Sequence, residues 1–228
     1  MLRRTLPFLF FSLLFLNSCQ TQKIFLSPPS HEIKEFEGYA TLRISAERQS
    51  ARSRFSFLFH LPARGRVDVL DPLGRVPYQL IFFEKRAFFV VPSRKVYWQG
   101  GEEEIIEKFL GFRLSLSEVV ALMSGQWLGT GLRTLKDWEE GWVVEKDRKG
   151  RTQSGKRGDF SFEVQEYFGQ SSWVKTVVFR HSQTEGRLKV LDVRFNQPLK
   201  KETFSTAFLG IFIQKTWEEI QELLSDAR

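Results

Sequence analysis

The sequence of 228 residues contains a single cysteine, Cys19. No disulfide can form within the chain, and the paired Cys or Cys/His spacings that hold zinc are missing. The three histidines, His31, His60 and His181, lie far apart, and no H-E-x-x-H occurs. There is no G-x-S-x-G elbow, although Ser124-Gly125 comes near it, and no glycine-rich phosphate loop. Glu102 to Glu104 could pair carboxylates, but an acidic helix start explains them better. The expectation is no enzyme, with no catalytic residue, no metal ligand and no cofactor. Tyrosine is also scarce, 4 residues against 23 phenylalanines. So many phenylalanines suggest a greasy interior. No apolar run is long enough to span a bilayer, and there is no repeat or low-complexity tract.

What the chain does have begins at its N-terminus. Arg3 and Arg4 precede an apolar run from Leu6 to Leu16, followed by Asn17, Ser18 and Cys19. A basic start, a short apolar core and small residues describe a secretory signal over residues 1–18. An unpaired thiol in an exported chain calls for a reason. Leu16 three positions before the cysteine, with Ser18 directly before it, resembles the bacterial lipobox. That resemblance implies cleavage before Cys19, diacylation of its sulfur and acylation of the new N-terminus, a covalent lipid on Cys19. Residues 19–33, with Ser27-Pro28-Pro29-Ser30, read as a lipidated tether; a short helix is expected near Ser30. Residues 34–228 are long enough for a single domain with its own core.

The formal net charge is +7. Such a surface attracts anionic lipid, an acidic protein or nucleic acid, and export argues against nucleic acid. The densest basic stretch, Arg148, Lys149, Arg151, Lys156 and Arg157, has glycines between and no aromatic platform. It reads as a solvated hairpin loop.

From Gly38 the hydrophobic period is mainly two. Phe55, Phe57, Phe59 and Leu61 alternate with Arg54, Ser56 and His60; Val67 and Val69 follow, then Val76, Tyr78, Leu80 and Phe82. This is the pattern of antiparallel strands with one buried face. Phe88 to Val91 is a continuous apolar run, which predicts a strand covered on both faces. Two short helices interrupt the series. Glu102 to Glu104 open the first, Ile105, Ile106, Phe109 and Leu110 give its apolar face, and Gly111 ends it. Ser115-Leu116-Ser117-Glu118 is a capping box that opens the second, Val119, Val120, Leu122 and Met123 give its face, and Gly125 ends it. The pair looks like a lid over a sheet. Strands resume over Gly141–Lys146, Phe160–Gln165, Trp173–Arg180 and Leu188–Phe195, with turns at Lys149-Gly150, Gly169-Gln170 and Glu185-Gly186. The end, Thr216 to Leu224, reads as a helix with Trp217, Ile220, Leu223 and Leu224 on one side. The fold class is α+β, mainly β. The phenylalanines fit a dense β core or a cavity for acyl chains, the core being the plainer reading.

Val67 to Leu80, an apolar strand, Asp71-Pro72-Leu73-Gly74, then another strand, is similar to the strand–turn–strand feature of the LolB outer-membrane lipoprotein receptors. Gly38-Tyr39-Ala40 resembles that family's first strand, Phe55 to Leu61 its second, and Glu103–Gly111 with Leu114–Gly125 its paired helices, with Trp127 just beyond. The resemblance covers Gly38 to Trp127; the C-terminal helix is not part of it. It implies a curved antiparallel sheet, a half-barrel, covered by short helices and enclosing an apolar cavity. It implies a lipid-anchored acceptor, facing the periplasm from the outer membrane, that takes acylated lipoproteins from a soluble LolA-like carrier and inserts them into outer-membrane lipid. Gln20 is not the aspartate that favours inner-membrane retention. A monomer is expected. Competing readings are a protein of the LolA/LolB fold that binds another lipid, and a structural interaction module.

Site residues follow. Pro72 and Gly74 suit a tight turn that sets Leu73 at a hairpin tip, and in the family the matching residue aids membrane insertion of the cargo. Candidate cavity residues are Phe55, Phe57, Phe59, Val67, Val69, Tyr78, Leu80 and Phe82 from the strands, with Ile106, Leu110, Val120 and Met123 from the lid.

Overall fold

The structure, a computed structural model, describes residues 33–46, 49–62, 64–126, 141–200 and 202–225. The expected signal, Cys19, the helix near Ser30 and Trp127 all lie outside the described residues.

Alternation of apolar and polar residues builds long strands. β1 (Glu35–Ala46), β2 (Gln49–His60), β3 (Arg64–Leu70), β4 (Tyr78–Phe83), β5 (Arg86–Val91) and β6 (Val96–Gly101) form an antiparallel series. Helices α1 (Glu102–Leu110) and α2 (Leu116–Ser124) follow. Then come β7 (Val143–Lys146), β8 (Thr152–Arg157), β9 (Phe160–Tyr167), β10 (Val174–His181) and β11 (Thr184–Phe195). A 3-10 helix (Ala207–Ile211), the short β12 (Ile213–Gln214) and α3 (Trp217–Ser225) end the fold. All strands join one 12-stranded sheet in the order β12-β6-β5-β4-β3-β2-β1-β11-β10-β9-β8-β7. The sheet is curved and open, with the helices in its hollow, the mainly β half-barrel expected from sequence.

The long-range pairing of β1 with β11 joins the two halves of the chain. A bulge falls at Tyr39/Ala40, and there Gly38 is required: a Cβ on it would sit 1.9 Å from the Asp192 carbonyl oxygen. Gly38→Ala should therefore cost at least about 2 kcal/mol of stability in a chemical denaturation curve, because backbone rather than side chain must move.

Both helix ends are as the sequence predicts. Ser115 Oγ accepts from the Glu118 amide at 3.2 Å while Glu118 Oε2 accepts from the Ser115 amide at 2.7 Å. Gly111 and Gly125 end their helices in the left-handed region. β5 is covered on both faces: Phe89 joins the main core in the hollow, while Phe88 and Val90 pack with Ile81 beneath Leu209 and Phe212 of the C-terminal segment. The C-terminal helix also exists. Its Trp217 meets Phe89, Trp98 and Phe109 edge-on at 5.4–5.9 Å.

Two expectations need correction. Residues 152–157, read as part of a basic loop, form β8 between β7 and β9. The turn expected at Glu185-Gly186 lies at Ser182-Gln183, and Gly186 is inside β11 opposite Phe179. A Cβ on Gly186 would lie 1.9 Å from the Phe179 ring, so this glycine makes room for an aromatic rather than a turn.

Candidate functional site

Between the hollow of the sheet and helices α1 and α2 lies an apolar cavity of about 290 Å³. Its floor comes from consecutive strands: Phe55 and Phe59 of β2, Val67 and Val69 of β3, Tyr78, Leu80 and Phe82 of β4. Ile106 and Leu110 of α1 and Met123 of α2 close it. Ten of the twelve cavity residues expected from sequence thus meet around one space.

Phe57 and Val120 are the exceptions. Phe57 has the right phase but lies where Phe36 and Trp173 plug the hollow; its ring is 5.9 Å from that of Phe36 and 5.8 Å from that of Phe59. Val120 is on the packed side of α2 and is buried in the core. Both are core residues rather than cavity wall. Sequence reasoning also missed wall residues. Leu42, Val177, Phe179 and Leu188 line the cavity, as do Ile105, Phe109, Leu116, Val119 and Leu122 of the helices. Their alternation or helical phase was visible, but which strands would face the helices was not. Ser53 and Tyr78 bring the only hydroxyls among the described residues of the wall. A surface so poor in hydrogen-bonding groups suits a hydrocarbon guest and gives a polar one little to bond.

The helical cover is pinned at one corner. Glu118, 2% exposed, opens α2 and lies among apolar side chains. Its Oε1 accepts from Trp142 Nε1 at 2.6 Å and from Arg157 Nη1. Arg157 in turn lies over the Trp142 ring, 4.9 Å from its centre, and donates to the Arg113 carbonyl at 3.1 Å. A capping residue thus also ties α2 to the β7–β8 side of the sheet. Nearby, burial pushes the Glu102 carboxyl above its ordinary range, against a bond from the Leu116 amide at 3.4 Å.

The turn between β3 and β4 holds Leu73 out in water, 77% exposed. Asp71 organises it. Its Oδ1 accepts from the Leu73 and Arg75 amides, both at 2.9 Å, and its Oδ2 accepts from Arg75 Nε at 2.6 Å. Partial burial raises the Asp71 carboxyl, but these bonds outweigh it and hold the group below its usual range. Gly74 takes φ +78° with nothing within 4 Å of the position a Cβ would occupy. The same construction recurs at Asp147 to Arg151. There Asp147 Oδ1 accepts from the Lys149 and Arg151 amides at 2.8 and 2.9 Å, Oδ2 accepts from Arg151 Nε at 2.8 Å, and Gly150 has φ +75°. The two turns share Asp-x-x-Gly-Arg, and the position of Leu73 is taken by Lys149 in the second. The turn therefore works with a lysine at that position, and its geometry does not account for Leu73.

Among the described residues no three His, Cys, Asp or Glu side chains gather as metal ligands, and no helix is long and apolar enough to cross a membrane.

No protein-family model matches this sequence, and comparison with curated proteins finds no match. Solved structures do resemble it. A DUF1329 family protein from Desulfovibrio piger superposes with a TM-score of 0.53 at 9% identity, over 78% of this chain and 92% of that one. A LolA superfamily protein from Nitrosomonas europaea gives 0.47 at 12% identity, over 77% and 91%. A domain described as outer membrane lipoprotein-sorting, from Vibrio parahaemolyticus, gives 0.49 at 11% identity, over 77% and 91%. At such identities the likeness is one of fold. Fold and site together define a helix-covered β half-barrel with an apolar cavity, the architecture that the LolB resemblance implies.

Proposed function

We propose that this chain is a lipid-anchored acceptor of the LolB type. Held by lipid on Cys19 to the outer membrane and facing the periplasm, it takes acylated lipoproteins from a LolA-like carrier and passes them to the bilayer. The observation that carries this reading is the apolar cavity beneath α1 and α2, whose described wall has no charged side chain and only the hydroxyls of Ser53 and Tyr78. Transfer needs no covalent step. Each methylene contributes about 0.8 kcal/mol in any apolar site, so direction follows from small differences between carrier, cavity and membrane.

Leu73 supports the second half of the cycle. A leucine held in water by a turn that also works with lysine is available to enter a membrane interface, where full burial gains about 1.5–3 kcal/mol. The tether is long enough for this. β1 begins at the end of the sheet opposite the Leu73 tip, roughly 30 Å away by strand rise. The 14 residue steps from Cys19 to Ile33 reach about 46–50 Å when extended. Leu73→Glu should leave folding and cargo binding unchanged and stop delivery to vesicles; delivery at the normal rate would remove Leu73 from the mechanism.

One observation favours a second reading. A cavity of 290 Å³ holds about ten methylene-sized units if each takes roughly the 30 Å³ of a water molecule. That is room for much of one acyl chain and not for several. A lipid with one chain in the pocket would fit without movement of the helices, whereas a lipoprotein with several chains requires α1 and α2 to move apart.

A further inference from the structure

The C-terminal segment, which the LolB resemblance does not cover, brings a second exposed apolar patch to the Leu73 end of the sheet. β3 runs toward that end and β4 away from it; β5 returns and β6 leaves again. The Asp71–Arg75 and Pro92–Lys95 turns therefore share one edge. β12 lies parallel to β6 with Ile213 opposite Val96, and the Ile213 amide donates to the Lys95 carbonyl at 2.9 Å. Residues 211–213 are thus fastened beside the Pro92–Lys95 turn. The span from there to the Leu73 turn is three to four strand spacings, about 15–20 Å.

Ile211 is 75% exposed and Ile213 62%. Packing does not require them there, because Leu209 and Phe212 supply the contacts that hold this segment to the sheet. Next to them Arg94 and Lys95 are exposed, and neither forms an ion pair with a described carboxylate. Level with the same tip, Arg52, Arg43 and Arg187 stand in one cross-strand row on the outer face. Exposed branched apolar side chains with unpaired cations beside them match the two layers of an anionic membrane surface, acyl boundary and phosphate.

We propose that this edge docks on an anionic lipid bilayer, with Ile211 and Ile213 entering the interface alongside Leu73 while Arg94 and Lys95 meet the headgroup phosphates. A soluble acidic protein would satisfy the cations but leave the isoleucines in water. The inference goes beyond cargo transfer, and it is tested without cargo, so its failure is distinguishable from failure of the acceptor reading.

The test is vesicle flotation with the chain from residue 19 onward carrying Cys19→Ala, so that no lipid can anchor it. That piece keeps the whole described sheet and its core. Vesicles of phosphatidylethanolamine with phosphatidylglycerol are compared with vesicles of phosphatidylcholine alone. The parent should float with the anionic vesicles and lose binding as salt rises. Arg94→Glu with Lys95→Glu should weaken that binding by about thirtyfold. Ile211→Ser with Ile213→Ser should weaken it more than tenfold with no change in the denaturation curve. Equal binding to both vesicle types, or no effect of either pair, would overturn the proposal. So would a parent that is dimeric in solution and becomes monomeric with the isoleucine changes, since the patch would then belong to a second copy of the chain.

Discussion

Replacing Val67 and Val69 by tryptophan should abolish binding of a fluorescent fatty acid and leave the chain folded. The two valines stand two apart on β3, on the same face, and both line the cavity. Two indoles in place of two isopropyl groups would take up a large share of about 290 Å³. In a packed core such enlargement costs about 1–3 kcal/mol; here the space is already open, so the melting temperature should hold or rise. The binding at stake can be sized. About ten methylenes at about 0.8 kcal/mol each give roughly 8 kcal/mol gross, and association takes back at least about 4 kcal/mol. The net corresponds to a loss on the order of several hundredfold. Phe57→Leu is the contrast, since Phe57 belongs to the packed plug and not to the wall. It should lower stability and leave fatty-acid affinity alone. Wild-type affinity in the double tryptophan variant would mean that the cavity is not the binding site.

Glu118→Ala should strongly destabilise the helical cover, because it empties a buried, hydrogen-bonded corner. Three bonds are lost together: the cap to the Ser115 amide, the acceptor for Trp142 Nε1 and the partner of Arg157. Breaking a buried ion pair costs about 3–5 kcal/mol, and the low end applies because Arg157 is itself a third exposed. Loss of the cap adds about 1 kcal/mol. Glu118→Gln keeps the shape and one of the two accepting oxygens but sets an amide N–H against a donor at the other, so it should also destabilise, and by less than the alanine change only through the bonds its single oxygen retains. A double-mutant cycle with Arg157→Ala should return a coupling of at least about 1 kcal/mol. Additive effects would show that the corner does not hold α2 to the sheet. On the acceptor reading proposed above, the same variant should also raise the capacity of the cavity for multi-chain cargo, because α2 would be freed at its first turn.

How far the sequence spoke for itself depended on whether the signal was local. The capping box at Ser115, the glycine stops at Gly111 and Gly125 and the alternation of β2 to β4 are written within a few residues, and they stand in the structure as read. β8 is different. Its buried positions are Thr152 and Gly155, and Gly155 is small because the Phe162 ring lies where its side chain would be. A strand whose apolar cover comes from its neighbour leaves no alternation to find. Gly186 misled for the same reason, since a glycine that clears space for Phe179 looks in sequence like one that turns the chain.

The site divided along the same line. Leu73 and its turn are contiguous, and Asp71, Gly74 and Arg75 could be read together. The cavity wall is not contiguous. Leu42 faces Leu188 only because β1 pairs with β11, and Val177 joins them through β10. That closure is between residues far apart in the chain, so no local period announces it. Phe57 shows the converse: the period gave the correct face, but Phe36 and Trp173 decide which part of that face is open.

The most direct measurement is a transfer assay. The chain from residue 19 onward with Cys19→Ala is mixed with a soluble carrier loaded with a tagged, acylated lipoprotein, and the two are separated to see which holds the cargo. The acceptor reading predicts that acylated cargo moves onto this protein, that cargo stripped of its acyl chains does not, and that Val67→Trp with Val69→Trp blocks the movement. Cargo that stays on a carrier known to release it to another acceptor would contradict that reading.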